Sequence, residues 1–485
     1  MARLLGPAQQ GTVFSSGWRA PAGGSAEVVE KATGARLTTT GLANPADINA
    51  AVAAAKAAQP GWAATPPAER AAVLRAAATV LDQARDEVAE WIVREGGGVR
   101  AKAEFEIGAV ADEFRAAAEL PTRPHGVLLP AEPDRHSIAR RVPVGVVGVI
   151  SPWNMPLLLG IRAVAPALAL GNAVVLKPDP RTAVAGGLLA ARLLERAGVP
   201  RDVLHVLPGD ARAGAALTEH PDTAMIAFTG STSAGRLVGA TTGRLLKRAS
   251  LELGGNNALI VLDDADLDLA SSAGAWGSFF HSGQVCMSTG RHIVLASVAE
   301  QYTDLLAAKA DRLRVGDPWT EQVDLGPLID AGQRDRVHRI VTESVAAGAA
   351  VRTGGRHTGL YYRPTVLTGV TADMPAFTEE IFGPVAPVVV VADEDEAVAV
   401  ADQTEFGLSA AVQTGDTRRG RAVADRLATG LVHVNDQTIN DEAHIPFGGR
   451  GCSGNGSRHG AEQNWAEFTE WQWLTVRETP ARYPF

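Results

Sequence analysis

Short apolar runs alternate with alanine-rich amphipathic segments along most of the chain from Val144 onward. The first apolar runs occupy residues 144–150, 173–176, 203–207 and 225–228, and each precedes a stretch of helical periodicity. Strands that alternate with helices are typical of a parallel, doubly wound sheet. The alternation continues after a crossing near residues 247–255, with apolar runs at 258–262, 292–295, 385–391, 410–414 and 431–435. The pattern therefore predicts an α/β protein with two doubly wound lobes.

The two ends of the chain carry a different pattern. Turn signals are closely spaced in residues 1–43, and helices are predicted from Asp47, from residue 66 to about 95, and from there to about 120. Residues 121–143 contain five prolines and two alternating segments. They predict a protruding β-hairpin, which is a candidate oligomer contact. A final strand is predicted at 471–476.

Composition narrows the class of function. The chain has 45 Lys and Arg against 54 Asp and Glu, a net charge of −9, so we expect neither a nucleic-acid nor an anionic membrane partner. Its two cysteines cannot build a disulfide framework and show no metal-ligand spacing, so no metal is expected. The first residues lack the apolar core of a signal peptide, and the apolar stretch 161–170 is too short to span a bilayer. We therefore expect a cytoplasmic protein.

Cys286 is the main candidate for a nucleophile. An apolar helical pattern ends near Phe280, and the thiol follows in His281-Ser282-Gly283-Gln284-Val285-Cys286 before a β-branched run begins at His292. A break between a helix and a strand leaves backbone N–H groups free, which suits a nucleophile. The alternative is a buried, inert thiol, which is the commoner fate of a lone cysteine.

Two further side chains could serve such a nucleophile. Asn154 lies between prolines in a stiff loop after a predicted strand, where its amide could bind an oxyanion; an Asx turn explains it equally well. Glu252 lies in an apolar context before two glycines, where desolvation would raise its pKa toward the range of a general base. The alternative for Glu252 is a structural cap of backbone N–H groups.

Two segments could bind an anionic cofactor. Residues 228–235 form a strand, a Gly-Ser-Thr turn and a helix start, which is an anion-binding arrangement, although Gly-Ser at a helix start is often only a cap. The dinucleotide fingerprint is incomplete there, because only Gly230 and Gly235 are present. Lys177 ends another strand, at the edge where open α/β sheets bind ligands; by itself, a solvated lysine is the simpler interpretation.

Taken together in this order, the motifs resemble the aldehyde dehydrogenase superfamily over nearly the whole chain. The resemblance is carried by Pro152-Trp153-Asn154, Lys177-Pro178, Phe228-Thr229-Gly230-Ser231, Leu251-Glu252-Leu253-Gly254-Gly255, Gly283-Gln284-Val285-Cys286, Glu380-Ile381-Phe382-Gly383-Pro384 and Pro446-Phe447-Gly448-Gly449. Longer stretches at 162–172, 177–182, 281–292 and 433–438 are similar to the benzaldehyde dehydrogenase branch. The resemblance implies an NAD(P)-dependent enzyme that oxidises an aldehyde, aromatic by preference, to the carboxylic acid.

The resemblance also assigns catalytic roles. Cys286 would attack the aldehyde carbon as a thiolate, and a thioester would remain after hydride loss. Asn154 would hold the oxyanion together with the Cys286 backbone N–H. Glu252 would activate the water that hydrolyses the thioester.

For the cofactor, the resemblance implies contacts from residues of several loops. They are Ile150, Trp153, Lys177, Gly209, Thr229, Gly230, Ser231, Glu380 and Phe382. Many NAD-specific members carry a glutamate three residues after the lysine, where this chain has Pro180. Without that carboxylate a 2′-phosphate is not repelled, so we expect NAD with some tolerance of NADP.

A substrate pocket is carried over by position. Its members would be Met155, Leu158, Phe280, Val285, Met287 and Phe447, an apolar set able to sandwich an aromatic ring. Arg162 could meet a polar ring substituent, but a helix-surface arginine that pairs with an acidic neighbour is the simpler interpretation.

The resemblance divides the chain into regions. Residues 1–121 and 143–250 would form the dinucleotide-binding domain and 251–445 the catalytic domain. Residues 122–142 and 466–485 would form a hairpin and tail for oligomerisation, and 446–465 would return to the cofactor domain. A homodimer or homotetramer is expected.

Three alternatives remain open. The substrate could be an aliphatic aldehyde or a semialdehyde. A coenzyme A-acylating member generally lacks the glutamate found here at position 252. A non-catalytic protein on this fold would not need Cys286, Glu252 and Asn154 together.

Overall fold

The computed structural model describes residues 3–460 and 462–485. Helices follow the chain in the order α1 Pro45–Ala64, α2 Pro67–Gln83, α3 Arg85–Gly96, α4 Arg100–Glu119, α5 Pro156–Ala169, α6 Leu189–Ala197, α7 Ala211–Glu219, α8 Thr232–Arg244, α9 Leu267–Phe279, α10 Ala299–Arg312, α11 Ala331–Ala346, α12 Pro375–Thr378, α13 Glu394–Asp402, α14 Thr417–Ala424 and α15 Gln463–Phe468. Within the described ranges, no helix is both long and apolar enough to cross a membrane.

Strands complete two large sheets and several small ones. They are β1 Val13–Phe14, β2 Trp18–Arg19, β3 Ser25–Val29, β4 Arg36–Gly41, β5 Gly126–Leu128, β6 Arg135–Pro143, β7 Val146–Ser151, β8 Ala173–Pro178, β9 Leu204–Val206, β10 Thr223–Thr229, β11 Arg248–Glu252, β12 Asn257–Val261, β13 Thr289–Leu295, β14 Ala350–Thr353, β15 His357–Thr358, β16 Tyr361–Tyr362, β17 Thr365–Thr368, β18 Val385–Val391, β19 Phe406–Gly407, β20 Ser409–Gln413, β21 Leu431–Val434, β22 Arg450–Gly451 and β23 Thr469–Arg477.

The first large sheet has the order β11-β10-β7-β8-β9-β1-β2. Its first five strands are parallel, and β1 and β2 close one edge in antiparallel fashion. Helix α5 between β7 and β8 is buried along its whole length. This agrees with the continuous apolar runs predicted for a parallel sheet covered on both faces.

The second large sheet has the order β14-β17-β18-β13-β12-β20-β21. Its strands are parallel except at the β14–β17 edge. The two doubly wound lobes predicted from the apolar runs are therefore present.

The hairpin predicted at 121–143 is formed by β5 and β6, and β23 pairs with β6 along its entire length. The three strands make a small sheet of order β23-β6-β5. Large apolar side chains project from it into solvent, including Leu128, Trp471 and Trp473. The predicted terminal strand therefore pairs with the hairpin. We call the sheet of β5, β6 and β23 the arm.

Some predicted boundaries were wrong. The helix predicted from 66 to about 95 is two helices, α2 and α3, because Ala84 leaves helical geometry at φ −106° and ψ 11°. Asp86 and Glu87 lie in the first turn of α3, where negative charge favours a new helix start. The first helix begins at Pro45 rather than at Asp47, with the Asn44 side chain accepting bonds from the N–H groups of Ala46 and Asp47. The short strands between 350 and 368 were not predicted.

Candidate active site

One large cavity lies where the two sheets approach each other. The carboxyl ends of β7, β8, β10 and β11 and the residues that precede β12, β13 and β18 supply its walls, and its volume is about 780 Å³. All three predicted catalytic residues and all predicted cofactor contacts line it: Ile150, Trp153, Asn154, Lys177, Gly209, Thr229, Gly230, Ser231, Glu252, Cys286, Glu380 and Phe382. The carboxyl edge of an open parallel sheet is where such folds bind ligands.

A tight turn presents Cys286 to this cavity. After α9 ends, His281, Ser282 and Gly283 adopt positive φ angles of 50°, 54° and 68°. A Cβ on Gly283 would lie 2.1 Å from the carbonyl oxygen of Gly383, so the turn needs glycine there. The chain reverses here, and Cys286 reaches the cavity before β13 begins.

Gln284 and Asn257 hold that turn in place, and the sequence alone assigned them no role. Gln284 is fully buried; its side-chain oxygen accepts from the N–H of Ile329 at 2.9 Å. Asn257 Nδ2 donates to the carbonyl oxygens of Cys286 at 2.9 Å and Ser288 at 2.7 Å. In the sequence, the Asn256-Asn257 pair after two glycines could have indicated a role for Asn257. Its partners could not be identified there, because they lie about 30 residues away along the chain.

Asn154 follows β7 and lies beside the same turn. Its side chain is buried, and Nδ2 donates to the carbonyl oxygen of Gln284 at 2.9 Å. This bond holds the Asn154 amide against the backbone of Gln284, which lies two residues before Cys286 in the chain. The amide can therefore serve as a hydrogen-bond donor near the sulfur.

The Cys286 thiol is in an environment that disfavours the thiolate. Burial raises its pKa to about 12, the Glu380 carboxylate adds to this effect, and the positive charge of Arg162 opposes it. A thiolate is the reactive form, so the proton must be removed by another group when the nucleophile acts.

Glu252 ends β11 and is the nearby candidate base. Both carboxylate oxygens are buried, and neither has a hydrogen bond of normal geometry within the described part of the chain. Burial raises the pKa of Glu252 well above its usual range; Arg162, Arg458 and the N–H of Gly449 act in the opposite direction. A carboxyl group with a raised pKa and free oxygens can accept and release protons near neutral pH.

The predicted cofactor residues line a cleft, and different chemical groups lie along it. Lys177 is buried and its ammonium donates to the carbonyl oxygen of Gly209 at 2.8 Å. Ser231 caps the N-terminus of α8, which leaves backbone N–H groups and the positive end of the helix dipole facing the cleft. A Cβ on Gly230 would lie 2.6 Å from the Phe228 ring.

The other wall of the cleft is formed by Glu380 and Phe382. Glu380 Oε1 accepts from the N–H of Gly255 at 3.0 Å, and burial raises its pKa to about 7. Phe382 has φ 54°, and its ring lies edge-on to Trp153 with centroids 5.4 Å apart. A cation, a helix N-terminus, an acceptor and an aromatic face, in one cleft of this volume, fit a nicotinamide dinucleotide.

The predicted substrate residues separate into two groups. Phe280, Val285, Met287 and Phe447 pack in one apolar cluster that contacts Cys286. Met155 and Leu158 instead belong to the large core around α5. None of the six lines the cofactor cavity, so the apolar cluster lies on a different side of the thiol from the cleft.

Arg162 does not lie on the surface of its helix, as the simpler interpretation of the sequence had it. Its side chain is 6% exposed, so it is not a helix-surface residue. It does pair with acidic neighbours: Nε lies 3.1 Å from Glu113 Oε1, and a terminal nitrogen contacts Asp441. The guanidinium also lies over the Phe447 ring, 4.6 Å from its centroid.

A sequence profile described as the Aldehyde dehydrogenase family matches residues 18–474. The chain belongs to the aldehyde dehydrogenase family. This aldehyde dehydrogenase is 56% identical to a vanillin dehydrogenase of an Amycolatopsis strain, over 98% of each chain. It is 51% identical to the benzaldehyde dehydrogenase [NAD(+)] of Pseudomonas putida, over 99% of each. These relatives confirm the predicted likeness to the benzaldehyde dehydrogenase branch.

Solved structures agree with this assignment. A betaine aldehyde dehydrogenase from Staphylococcus aureus in complex with NAD⁺ superposes with a TM-score of 0.95 at 27% identity, covering 99% of this chain and 97% of that one. The predicted fold class and the predicted enzyme class, an NAD(P)-dependent aldehyde dehydrogenase, are both confirmed.

Proposed function

We propose that this aldehyde dehydrogenase oxidises aromatic aldehydes to carboxylic acids, with Cys286 as nucleophile, Asn154 as oxyanion donor and Glu252 as base. The observation that carries the proposal is the convergence of these three side chains on one cavity beside a dinucleotide cleft. The apolar cluster of Phe280, Val285, Met287 and Phe447 on the other side of the thiol supplies flat surfaces for an aromatic ring. The names of the vanillin and benzaldehyde dehydrogenase relatives support the same substrate class.

The first half of the mechanism forms a carbon–sulfur bond. Glu252 takes the thiol proton, and the sulfur of Cys286 attacks the aldehyde carbon. The carbonyl oxygen becomes an oxyanion, which accepts hydrogen bonds from Asn154 Nδ2 and from the Cys286 N–H. Removal of one oxyanion donor typically costs about 3–4 kcal/mol of transition-state stabilisation. When bound in the cleft, the nicotinamide cofactor supplies the acceptor for the hydride.

The second half returns the enzyme to its starting state. Loss of hydride leaves an acyl thioester on Cys286. Glu252 first releases the thiol proton to solvent and then removes a proton from a water molecule. The resulting hydroxide adds to the thioester, and the carbon–sulfur bond breaks as the leaving sulfur takes the proton back from Glu252. The carboxylic acid leaves and the thiol is restored, so one water is consumed for each aldehyde oxidised.

For the cofactor, we propose NAD with measurable use of NADP. Pro180 lines the cavity at the position where a carboxylate would repel a 2′-phosphate. The neighbouring Asp179 is also a wall residue, but it is paired with Arg181: burial alone would raise its pKa, and the hydrogen bonds and charge of Arg181 outweigh burial and lower it. Its charge is thereby neutralised by Arg181.

For the domains and assembly, we propose the division given by the sequence. Residues 1–121 and 143–250 bind the cofactor, 251–445 carry the thiol, and 446–465 return to the cofactor side. The arm, with its exposed apolar side chains, forms the contact of a homodimer or homotetramer.

Product analysis with an aldehyde panel tests the proposed function. Purified enzyme is supplied with NAD, with or without coenzyme A, and with benzaldehyde, an aliphatic aldehyde or a semialdehyde. We expect the highest kcat/KM for benzaldehyde and a free carboxylic acid as product in both conditions. A strict requirement for coenzyme A, or a preference for the semialdehyde, would contradict the proposal.

A further inference from the structure

A carboxylate with one unused oxygen lies next to the apolar cluster at Cys286. The Asp441 side chain is 10% exposed, and its Oδ2 contacts the Arg162 guanidinium. Its Oδ1 is buried and has no hydrogen-bond partner among residues 3–460 and 462–485. An unpaired buried carboxylate oxygen is unfavourable and favours a donor brought in by a ligand.

Arg162 provides the hydrogen-bond donors for two acidic side chains. Arg162 is shared between Asp441 and Glu113, so one cation serves two buried carboxylates. Burial raises the pKa of Glu113 to about 7, with the Arg162 charge opposing the shift. This cluster of three side chains therefore suits a ligand group that donates a hydrogen bond, and it disfavours an anion.

Phe447 connects the cluster to the substrate side of the thiol. Its ring packs with Phe280 and Met287 in the apolar cluster and lies under the Arg162 guanidinium. The charges of Arg162 and Asp441 both act on the pKa of the Cys286 thiol, in opposite directions. Because Cys286 packs against the same cluster and the Arg162 partner of Asp441 lies over Phe447, Asp441 lies on the side of the thiol where the ring is proposed to bind.

We propose that Asp441 Oδ1 accepts a hydrogen bond from a hydroxyl group on the ring of the aromatic aldehyde. This inference rests on the function proposed above and narrows its substrate class to hydroxybenzaldehydes. A phenolic O–H bonded to a carboxylate forms a charge-assisted hydrogen bond. A methoxy group of similar position has no hydrogen to donate and leaves the buried oxygen unpaired, which is the basis of strong discrimination.

The test compares matched substrates in the same enzyme. The values of kcat/KM are measured for 4-hydroxy-, 4-methoxy-, 3-hydroxy- and 3-methoxybenzaldehyde, and the hydroxy-to-methoxy ratio is taken at each ring position. Asp441→Ala should lower the ratio at least about tenfold at one position or both, as expected for loss of a hydrogen bond to a charged group. Asp441→Asn, which keeps the shape, should lower it several-fold and decides the matter if the alanine variant does not fold.

Glu442→Gln is the matched control, because Glu442 is the adjacent residue of the loop and its carboxylate is 56% exposed. It should leave every ratio unchanged. Ratios that are the same in the wild type and in both Asp441 variants overturn the inference.

The pH dependence of the wild-type ratio provides a second test. The ratio should fall as the pH rises through ionisation of the substrate hydroxyl, because a phenolate cannot donate and would face the Asp441 carboxylate. A ratio that rises with pH would mean that Arg162 binds the phenolate, and would overturn the inference. A wild type that oxidises none of the four compounds would instead contradict the proposed function itself.

Discussion

At the scale of single residues, the acid–base properties of Cys286 and Glu252 depend on each other. Burial raises the pKa values of both groups, so in each of them the protonated, uncharged form is favoured. Two uncompensated charges in one buried site would be costly. Glu252 can therefore accept the thiol proton of Cys286 only after its own carboxyl group has lost its proton.

This gives a prediction for Glu252→Gln. Acylation slows as well, because Glu252 also takes the thiol proton, but water (pKa about 15.7) needs the base more than a thiol of pKa about 12 does, so an acyl-enzyme should accumulate. Intact-mass analysis after incubation with NAD and benzaldehyde should show the added acyl group. The Cys286→Ala variant is the control, which should show neither added mass nor dehydrogenase activity while it still binds the cofactor.

The same base sets the expected pH profile. Because the pKa of Glu252 is raised, the ionised base is lost at pH values where an ordinary glutamate remains charged, and it is restored as the pH rises. The rate of deacylation in single-turnover experiments should therefore still increase with pH above the range in which an ordinary glutamate ionises. A wild-type rate that does not change with pH, or an unchanged rise in Glu252→Gln, would assign the base elsewhere.

Cofactor choice is also decided at single positions. With Pro180 in place, we expect the kcat/KM for NAD to exceed that for NADP by less than about a thousandfold, equivalent to about 4 kcal/mol. Pro180→Glu should widen the gap by lowering the NADP value, because it places a carboxylate in the cavity wall. A larger preference in the wild type would mean that another group excludes the phosphate.

At the scale of elements, α4 and α5 are joined by a buried carboxylate. Glu106 on α4 accepts from the N–H groups of Leu157 at 2.8 Å and Leu158 at 3.2 Å, at the start of α5. Its other oxygen pairs with Lys102, and both side chains are fully buried. Because α5 begins two residues after Asn154, this bond network also positions the oxyanion donor.

Glu106→Gln should therefore destabilise the protein by about 3–5 kcal/mol, since it leaves Lys102 as an unpaired buried cation. Urea unfolding measures the loss, and kcat should fall with it because the α5 N-terminus and Asn154 shift. Glu119→Gln, at an exposed site on the same helix, should change stability by no more than about 0.5 kcal/mol. Equal effects from both variants would deny Glu106 this role.

At the scale of the whole molecule, the arm exposes large apolar side chains that a single chain does not bury. Leu128 is 80% and Trp473 66% exposed on one three-stranded sheet. Exposed apolar patches of this kind mark contacts with other protein surfaces. The exposed edges of its outer strands could also pair with another chain.

We expect the double substitution Leu128→Glu and Trp473→Glu to shift the protein to monomers, measured by sedimentation at micromolar concentration. Leu269→Glu, at an equally exposed position on α9, should leave the assembly unchanged. A wild type that sediments as a monomer would refute the proposed oligomer contact.

The sequence by itself determined the order of elements and the class of chemistry. Apolar runs such as 385–391 coincide with a strand of the same bounds, Val385–Val391, because a strand buried on both faces must be apolar throughout. The motifs around Cys286, Glu252 and Asn154 were sufficient for the family. Asn154 and Glu252 lie at the carboxyl ends of parallel strands, which meet at one edge of a sheet, whereas Cys286 precedes β13 of the other sheet and joins them only in the folded protein.

The tertiary structure alone decided the surroundings of these motifs. Gln284 and Asn257 hold the thiol loop, Glu106 holds α5, and Arg162 is buried between two carboxylates rather than exposed on a helix. Each of these contacts joins elements far apart in the chain; Arg162 and Asp441, for example, are separated by 279 residues. Local periodicity carries no information about such pairs, because burial and partner choice depend on how whole elements pack.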